Sequence, residues 1–318
     1  MLGMLGRSAN GIFWMFRNLE RAENTGRLID AGFRLALTRD AADASDEWRS
    51  VIVTLGLQKT YEAKFGREYN GPQVFNFILR DRDNPGNVLG MSELARTNAR
   101  AVRAGITREL WEAVNENWMR LKDLLARPVR ETSLGTVLDA IRRQATQVRG
   151  AMMGTMLRNE IFNFAQIGKF VERADNTARI LDVKYYVLLP SLSYVGSSLD
   201  NVQWDNVLRS VAGERAYRWL NAGRMDPRGI AEFMILDGRF PRSLHFSYAK
   251  LRSNLASLAR EYGTEMPCHE ILRNADSWMH SLTIERIFEQ GLHEFIGDFI
   301  RQNQNLALQV QRDYRFIE

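Results

Sequence analysis

Residues 19–30 read Leu19-Glu20-Arg21-Ala22-Glu23-Asn24-Thr25-Gly26-Arg27-Leu28-Ile29-Asp30, and residues 171–182 read Val171-Glu172-Arg173-Ala174-Asp175-Asn176-Thr177-Ala178-Arg179-Ile180-Leu181-Asp182. From Glu20 to Asp30 the two stretches are identical at seven of eleven positions, at an offset of 152, and the other four exchanges are conservative. A second set of matches follows at an offset of 156: Trp48 with Trp204, Val51 with Val207, Tyr61 with Tyr217, Phe77 with Phe233, Asp81 with Asp237, Pro85 with Pro241, Arg96 with Arg252 and Asn98 with Asn254. Order is kept throughout. The change of offset needs four extra residues near 190–203, where Pro190 and neighbouring Ser and Gly signal a loop. The chain therefore reads as a tandem duplication of a unit of about 155 residues, far longer than the roughly 20–50 residues of a solenoid repeat.

Both stretches have helical periodicity. On a wheel of 100° per residue, Glu20, Glu23, Asn24, Arg27, Asp30 and Arg34 share one face, and Trp14, Ala22, Gly26, Leu28, Ile29 and Phe33 share the other. Arg21 and Thr25 fall inside the apolar arc. The second copy repeats the arrangement, with Glu172, Asp175, Asn176, Arg179 and Asp182 on the polar face and Arg173 and Thr177 among Ile180, Leu181, Ala174 and Ala178. Apolar residues recur at three- and four-residue spacing over 11–37, 46–65, 86–103, 107–126, 134–158, 161–189, 203–220, 242–261 and 280–312. No alternating β-branched run bounded by hairpin turns occurs. The expected fold is all-α, a multi-helix bundle of two tandem repeats, 1–158 and 159–318, related by a pseudo-twofold axis and sharing one core. Gly71-Pro72, Asn84-Pro85, Arg127-Pro128 and Asp226-Pro227 punctuate loops, and Pro85 and Pro241 stand where helices should begin, Asn84 being placed to cap the first.

A polar helical stripe by itself reads as a solvated face. Two otherwise diverged copies that keep Glu, Asn, Arg and Asp at the same places have a reason beyond solvation. Arg21 and Arg173 sit in apolar arcs, and a buried guanidinium needs a carboxylate partner. The expectation is that the two helices pack together, with Arg21 and Arg173 paired to carboxylates such as Glu172 and Glu20 of the other copy. The competing reading is a ligand site on the same face, formed by Glu20, Arg21, Asn24, Arg27, Asp30, Glu172, Arg173, Asn176, Arg179 and Asp182. Such a set holds an amino acid or peptide terminus, with Arg on its carboxylate and Glu or Asp on its ammonium. A secondary candidate is the turn carrying Asp81, Asp237, Arg239 and Arg242. Turn chemistry explains the two aspartates, while Arg239 and Arg242 near a helix start suit an anion.

Composition bounds the alternatives. The chain has 318 residues, 45% hydrophobic and 25% charged, with a net charge of +5 and one cysteine, which excludes a disulfide scaffold and wholesale disorder. Lysine accounts for only six of the 43 basic residues, so the basic character is arginine's, suited to carboxylate and phosphate pairing. Residues 1–160 hold 24 basic and 19 acidic side chains, and 161–318 hold 19 of each. The basic residues are interleaved with acidic ones rather than clustered, which disfavours nucleic-acid binding and leaves a surface for an acidic partner. Met1–Phe16, interrupted by Arg7, reads as no signal peptide, and no stretch has the roughly 20 apolar residues of a membrane span, so the expected location is the cytoplasm. None of His245, His269, His280 and His293 follows a Glu by three residues, and no zinc, phosphate-loop or nucleophile-elbow motif is present, so the sequence implies neither metal nor cofactor. The pairs His269-Glu270 and His293-Glu294 are isolated, and Cys268 reads as a packed thiol.

The doubled Glu-Arg motif, Leu19 to Thr25 and Val171 to Thr177, resembles the bacterial alpha-E domain family, an all-helical family named for that motif. The resemblance runs through Pro241-Arg242-Ser243 to the final helix and covers effectively the whole chain. Gly26 and Gly86 stand where the second copy has Ala178 and Arg242. The resemblance implies a partner of circularly permuted ATP-grasp amide ligases, to which such domains are sometimes fused, encoded near transglutaminase-like peptidases in bacterial systems that make or trim amide-linked peptides. This chain carries no ATP-grasp signature. The first expectation is a non-catalytic helical scaffold for such a ligase or its peptide substrate. The alternative is an enzyme or amino-acid- or peptide-binding component of the same pathway, using Glu20 or Glu172 as a base beside Arg27 or Arg179.

Overall fold

The structure, a computed structural model, describes residues 6–37, 41–186 and 198–316. Of the loop expected near 190–203, residues 190–197 lie outside the described residues and 198–203 are helical; residues 187–189 of the segment expected to be helical and Met1–Leu5 also lie outside them. Among the described residues the chain is α-helical, with no strand. It runs through α1 (Gly6–Ala36), α2 (Ala41–Thr54), α3 (Gln58–Phe65), α4 (Gly71–Arg80), α5 (Val88–Ala101), α6 (Arg108–Leu124) and α7 (Glu131–Thr155). It continues through α8 (Glu160–Tyr186), α9 (Ser198–Ser210), α10 (Glu214–Leu220), α11 (Pro227–Leu236), α12 (Leu244–Tyr262), α13 (Pro267–His280), α14 (Ile284–Gln290) and α15 (Leu292–Asp313).

The two longest helices, α1 and α8, form the centre. They pack chiefly on each other; α2, α5 and α7 surround α1, while α12 and α15 surround α8. Helix α9 crosses to α1 and α2 crosses to α8. The pattern in α1 explains its position: Ile12, Phe13, Met15, Phe16, Leu19 and Ile29 are buried, and each fully buried side chain of this size contributes about 1.5–3 kcal/mol. Glu20, Glu23 and Asn24 are buried too. The first part of the polar stripe, Glu20 to Asn24, is thus an interior surface, because neighbours cover α1 on both sides, while Arg34 at its end is exposed. The backbones come close enough that a Cβ on Gly168 would lie 2.3 Å from the Phe13 carbonyl oxygen, which explains glycine there. One continuous apolar cluster extends from Ala9 to Phe316.

Several boundaries differ from the periodicity. The segment 46–65 is two helices, broken where Gly56 takes φ +69°. The segment 203–220 divides into α9 and α10 at Ala212, with φ 54°. The segment 280–312 spans the end of α13, then α14 and α15, with Thr283 capping Arg286 N–H and Gly291 at φ +102° dividing the last two. Helices α4 and α11 fall between the expected segments. Their prolines open them: Pro72 and Pro227 lie in the first turns, behind Asn70 and Asp226, which accept from Gln73 N–H and from Arg228 and Gly229 N–H. Helices α5 and α12 begin three residues after Pro85 and Pro241, capped by Asn87 and Ser243, which accept from Gly90 N–H at 2.7 Å and Phe246 N–H at 2.9 Å. Asn84 is not the cap. It is fully buried, donates to the Phe77 carbonyl and accepts Gly86 N–H, fixing the turn that precedes the helix.

Candidate functional site

The repeated motifs meet across the α1–α8 contact. Arg173 donates through Nε and Nη2 to the two oxygens of Glu20, at 2.7 and 2.9 Å. Arg21 donates likewise to Glu172, at 2.5 and 2.9 Å. Each arginine stands one residue from its own copy's glutamate but pairs with the other's. Parallel bidentate pairing is the strongest and most directional form of this contact. Arg17 adds a bond to Glu172 at 3.0 Å. At the corresponding place in α8 stands Lys169, buried near Glu20 and lying over the Phe170 ring.

The outer members of each stripe pair within their own helix. Arg27 binds Glu23 at 2.8 and 3.0 Å, and Arg179 binds Asp175 at 2.7 Å. Arg149 of α7 also pairs with Glu23. Asp30 is held by Arg34 and by Arg142 of α7, and Asp182 by His293 of α15 at 2.5 Å.

The secondary candidates separate. Asp81 accepts Asp83 N–H and pairs with Lys64, and Asp237 accepts Arg239 N–H and pairs with the Arg239 side chain, so both are turn residues. Arg239 is exposed. Arg242 turns inward and does not join it in an anion site. Its guanidinium reaches Asn24 Oδ1 at 2.7 Å, Glu23 at 3.1 Å and Glu20 at 3.2 Å. The turn is clamped in place: Thr177 donates to the Arg242 carbonyl at 2.8 Å, and Arg173 donates to that of Pro241 at 3.2 Å. Arg242, Arg149, Arg17 and Lys169 join the network from outside the repeated motif. Only the Arg17/Lys169 pair carries a signal, since the two basic residues lie at the motif's offset of 152.

The electrostatics are those of a closed ion-pair network. Burial opposes ionisation of Glu20, but Arg173 and Arg242 outweigh it and hold the carboxyl well below the usual carboxylate range. Glu172 is lowered against its own burial by Arg21 and Arg17, and Glu23 by Arg242, Arg149 and Arg27 against burial and neighbouring Glu20. Burial and adjacent Arg173 lower Arg242 to about 10 and Lys169 to about 7. Neither Glu20 nor Glu172 has the raised value that a general base needs.

The surroundings of the two motifs differ most at Gly86 and Arg242. Arg21, Thr25, Gly86, Glu172, Asp175 and Asn176 line an open cavity of about 370 Å³, together with the Leu55-Gly56-Leu57 link between α2 and α3. A second cleft, of about 290 Å³, gathers Arg27, Arg34, Arg142, Arg209 and Arg215 around Asp30 and Glu214. Among the described residues no three His, Cys, Asp or Glu side chains gather in a way that could hold a metal ion. Burial raises the Cys268 thiol far above its ordinary value, and His269 is buried between the Met266 N–H and the Leu255 carbonyl. No helix among the described residues is long and apolar enough to cross a membrane.

Fold and site together define an all-helical domain built on Glu-Arg pairs. The chain belongs to the Alpha-E family, whose model, described as a predicted alpha-helical domain with a conserved ER motif, matches residues 4–314. Uncharacterized proteins of Mycobacterium bovis and Mycobacterium tuberculosis are 23% identical to it over 279 residues, which is 82% of this chain and 31% of theirs. The chain thus spans about a third of the length of the curated relatives it matches. No solved structure matches it.

Proposed function

We propose that this chain is a non-catalytic helical component that binds and positions an ATP-grasp-type amide ligase, or that ligase's peptide substrate, in a bacterial system that synthesises or modifies amide-linked peptides. One observation carries the non-catalytic half of this reading: the repeated glutamates are engaged in bidentate pairs with arginines of the other motif and held ionised by them. The ligase half follows from family resemblance. In the mycobacterial relatives the matched segment is about a third of a longer chain. A transglutaminase-like peptidase is a second expected partner, and the cytoplasm the expected location.

The reading includes the architecture. Residues 1–158 and 159–318 are two copies of one unit, related by an approximate twofold axis between α1 and α8 and sharing one core. The reciprocal Glu20–Arg173 and Glu172–Arg21 pairs are what such an axis produces. So is the matching order of α1 to α5 and α8 to α12.

A second reading, an amino-acid- or peptide-binding component of the same pathway, is favoured by the open cavity beside Gly86, whose walls carry both arginines and carboxylates. The test of the primary reading is size-exclusion chromatography of the chain with an ATP-grasp ligase encoded beside it. Co-elution in a defined ratio is expected, and failure to form any complex with such a ligase overturns it.

A further inference from the structure

Gly86 and Arg242 each follow the proline of the matched turns, Pro85 and Pro241. In the second half the Arg242 guanidinium fills the space between the turn and α1, received by Glu20, Glu23 and Asn24. In the first half no side chain projects from that place, and the space is the cavity of about 370 Å³. The residues facing it are Glu172, Asp175 and Asn176, which stand in register with Glu20, Glu23 and Asn24.

The backbone does not demand this glycine. Gly86 has no left-handed φ, and a Cβ there would meet only Asn84 Oδ1, at 3.5 Å. What glycine supplies is the empty space. Polar groups around that space lack the partners their counterparts have. The Thr25 side chain, on a residue 2% exposed and lining the cavity, makes no hydrogen bond among the described residues, whereas the Thr177 hydroxyl donates to the Arg242 carbonyl. The Asn176 amide is likewise without a partner among them, whereas Asn24 accepts from Arg242. Asp175 pairs with Arg179 alone among them, whereas Glu23 pairs with Arg27, Arg149 and Arg242.

We propose that this cavity binds a guanidinium group presented by another molecule, seated as the Arg242 guanidinium is seated in the other half. The inference rests on reading the halves as copies of one unit, and it names a ligand class that the ligase partnership does not. Glu172 is already engaged by Arg17 and Arg21, so Asp175 and Asn176 are the main anchors, through charge-assisted and amide hydrogen bonds. The flanking arginines do not forbid a further cation. Arg242 sits beside Arg173 and Arg27, the counterparts of Arg21 and Arg179, and is held there by the carboxylates between them. Leu55 and Leu57 offer an apolar wall for a methylene stem. The ligand is therefore free arginine or an arginine residue of a peptide.

Isothermal titration of the full chain with L-arginine and with N-acetyl-L-arginine amide tests this, with citrulline and lysine as references. Saturable one-to-one binding of an arginine compound is expected, at least tenfold tighter than either reference. Tighter binding of L-arginine assigns the free amino acid, and tighter binding of the blocked amide assigns a peptide residue. Gly86→Arg supplies the guanidinium from within and should abolish binding without lowering the melting temperature. Gly86→Ala should retain binding, and Asp175→Asn should weaken it at least tenfold. No arginine binding, equal binding of citrulline or lysine, or undiminished binding by folded Gly86→Arg overturns the proposal. None of these outcomes depends on whether a ligase complex forms.

Discussion

Arg173 on α8 grips both oxygens of Glu20 on α1, and Arg242 reaches the same carboxylate from the turn before α12. Three charges from three places in the chain are thereby buried at one point. Attraction at such a site offsets desolvation only while every partner is present.

Glu20→Gln therefore leaves two buried guanidinium groups short of a carboxylate and should cost about 3–5 kcal/mol in urea denaturation. Arg21→Ala should cost less, about 1–2 kcal/mol, because its side chain is 41% exposed and Glu172 keeps Arg17. Equal losses in the two variants would contradict the asymmetry of the network.

Arg242→Gly copies the Gly86 arrangement into the second half. The melting temperature should fall by several degrees. Millimolar methylguanidinium should restore part of the loss, because a ligand that binds only the folded state stabilises it. Urea at the same concentration should restore none, being uncharged.

Two glycine substitutions should move stability in opposite directions. Alanine is favoured over glycine inside a helix by about 1 kcal/mol. Gly135→Ala, on α7 with nothing within 4 Å of the added carbon, should raise the melting temperature. Gly168→Ala must push α8 off the Phe13 carbonyl, and overpacking of about 1–3 kcal/mol should outweigh the helical gain. Paired thermal melts check both.

Stability should depend on pH at two ends. Burial and Arg173 lower the Lys169 ammonium from the ordinary 10.5 to about 7, so between those values the unfolded chain binds the extra proton and stability rises with pH. From pH 7 to 9 the urea midpoint should climb, and Lys169→Met should flatten the climb. Glu20, Glu23 and Glu172 are lowered, so their contribution is present above about 4.5 and is lost as pH falls below it.

How much of this was legible in the sequence follows from the range of each interaction. Arg21 and Arg173 lie within apolar arcs of repeated helices, and that local fact is enough to expect carboxylates from the other copy. Arg242 gives no such signal: it lies 218 to 222 residues from the groups it binds, and its inward path depends on the clamp by Thr177 and Arg173. Helix starts were displaced by three residues after Pro85 and Pro241, because the turn needs Asn84 inside and leaves capping to Asn87 and Ser243. Apolar periodicity continues across Gly56 and Gly291 while the backbone takes positive φ, so periodicity alone does not show the breaks there.

The central claim is that the repeated Glu-Arg motif is an ion-pair clasp and not a catalytic base. The most direct measurement is a pH titration of the glutamate side-chain carboxyls by ¹³C NMR, with Glu20 and Glu172 assigned from Glu→Gln variants. The account predicts that both stay ionised from neutrality down to the pH at which the protein unfolds. Titration of either carboxyl near neutrality in the folded protein would contradict it.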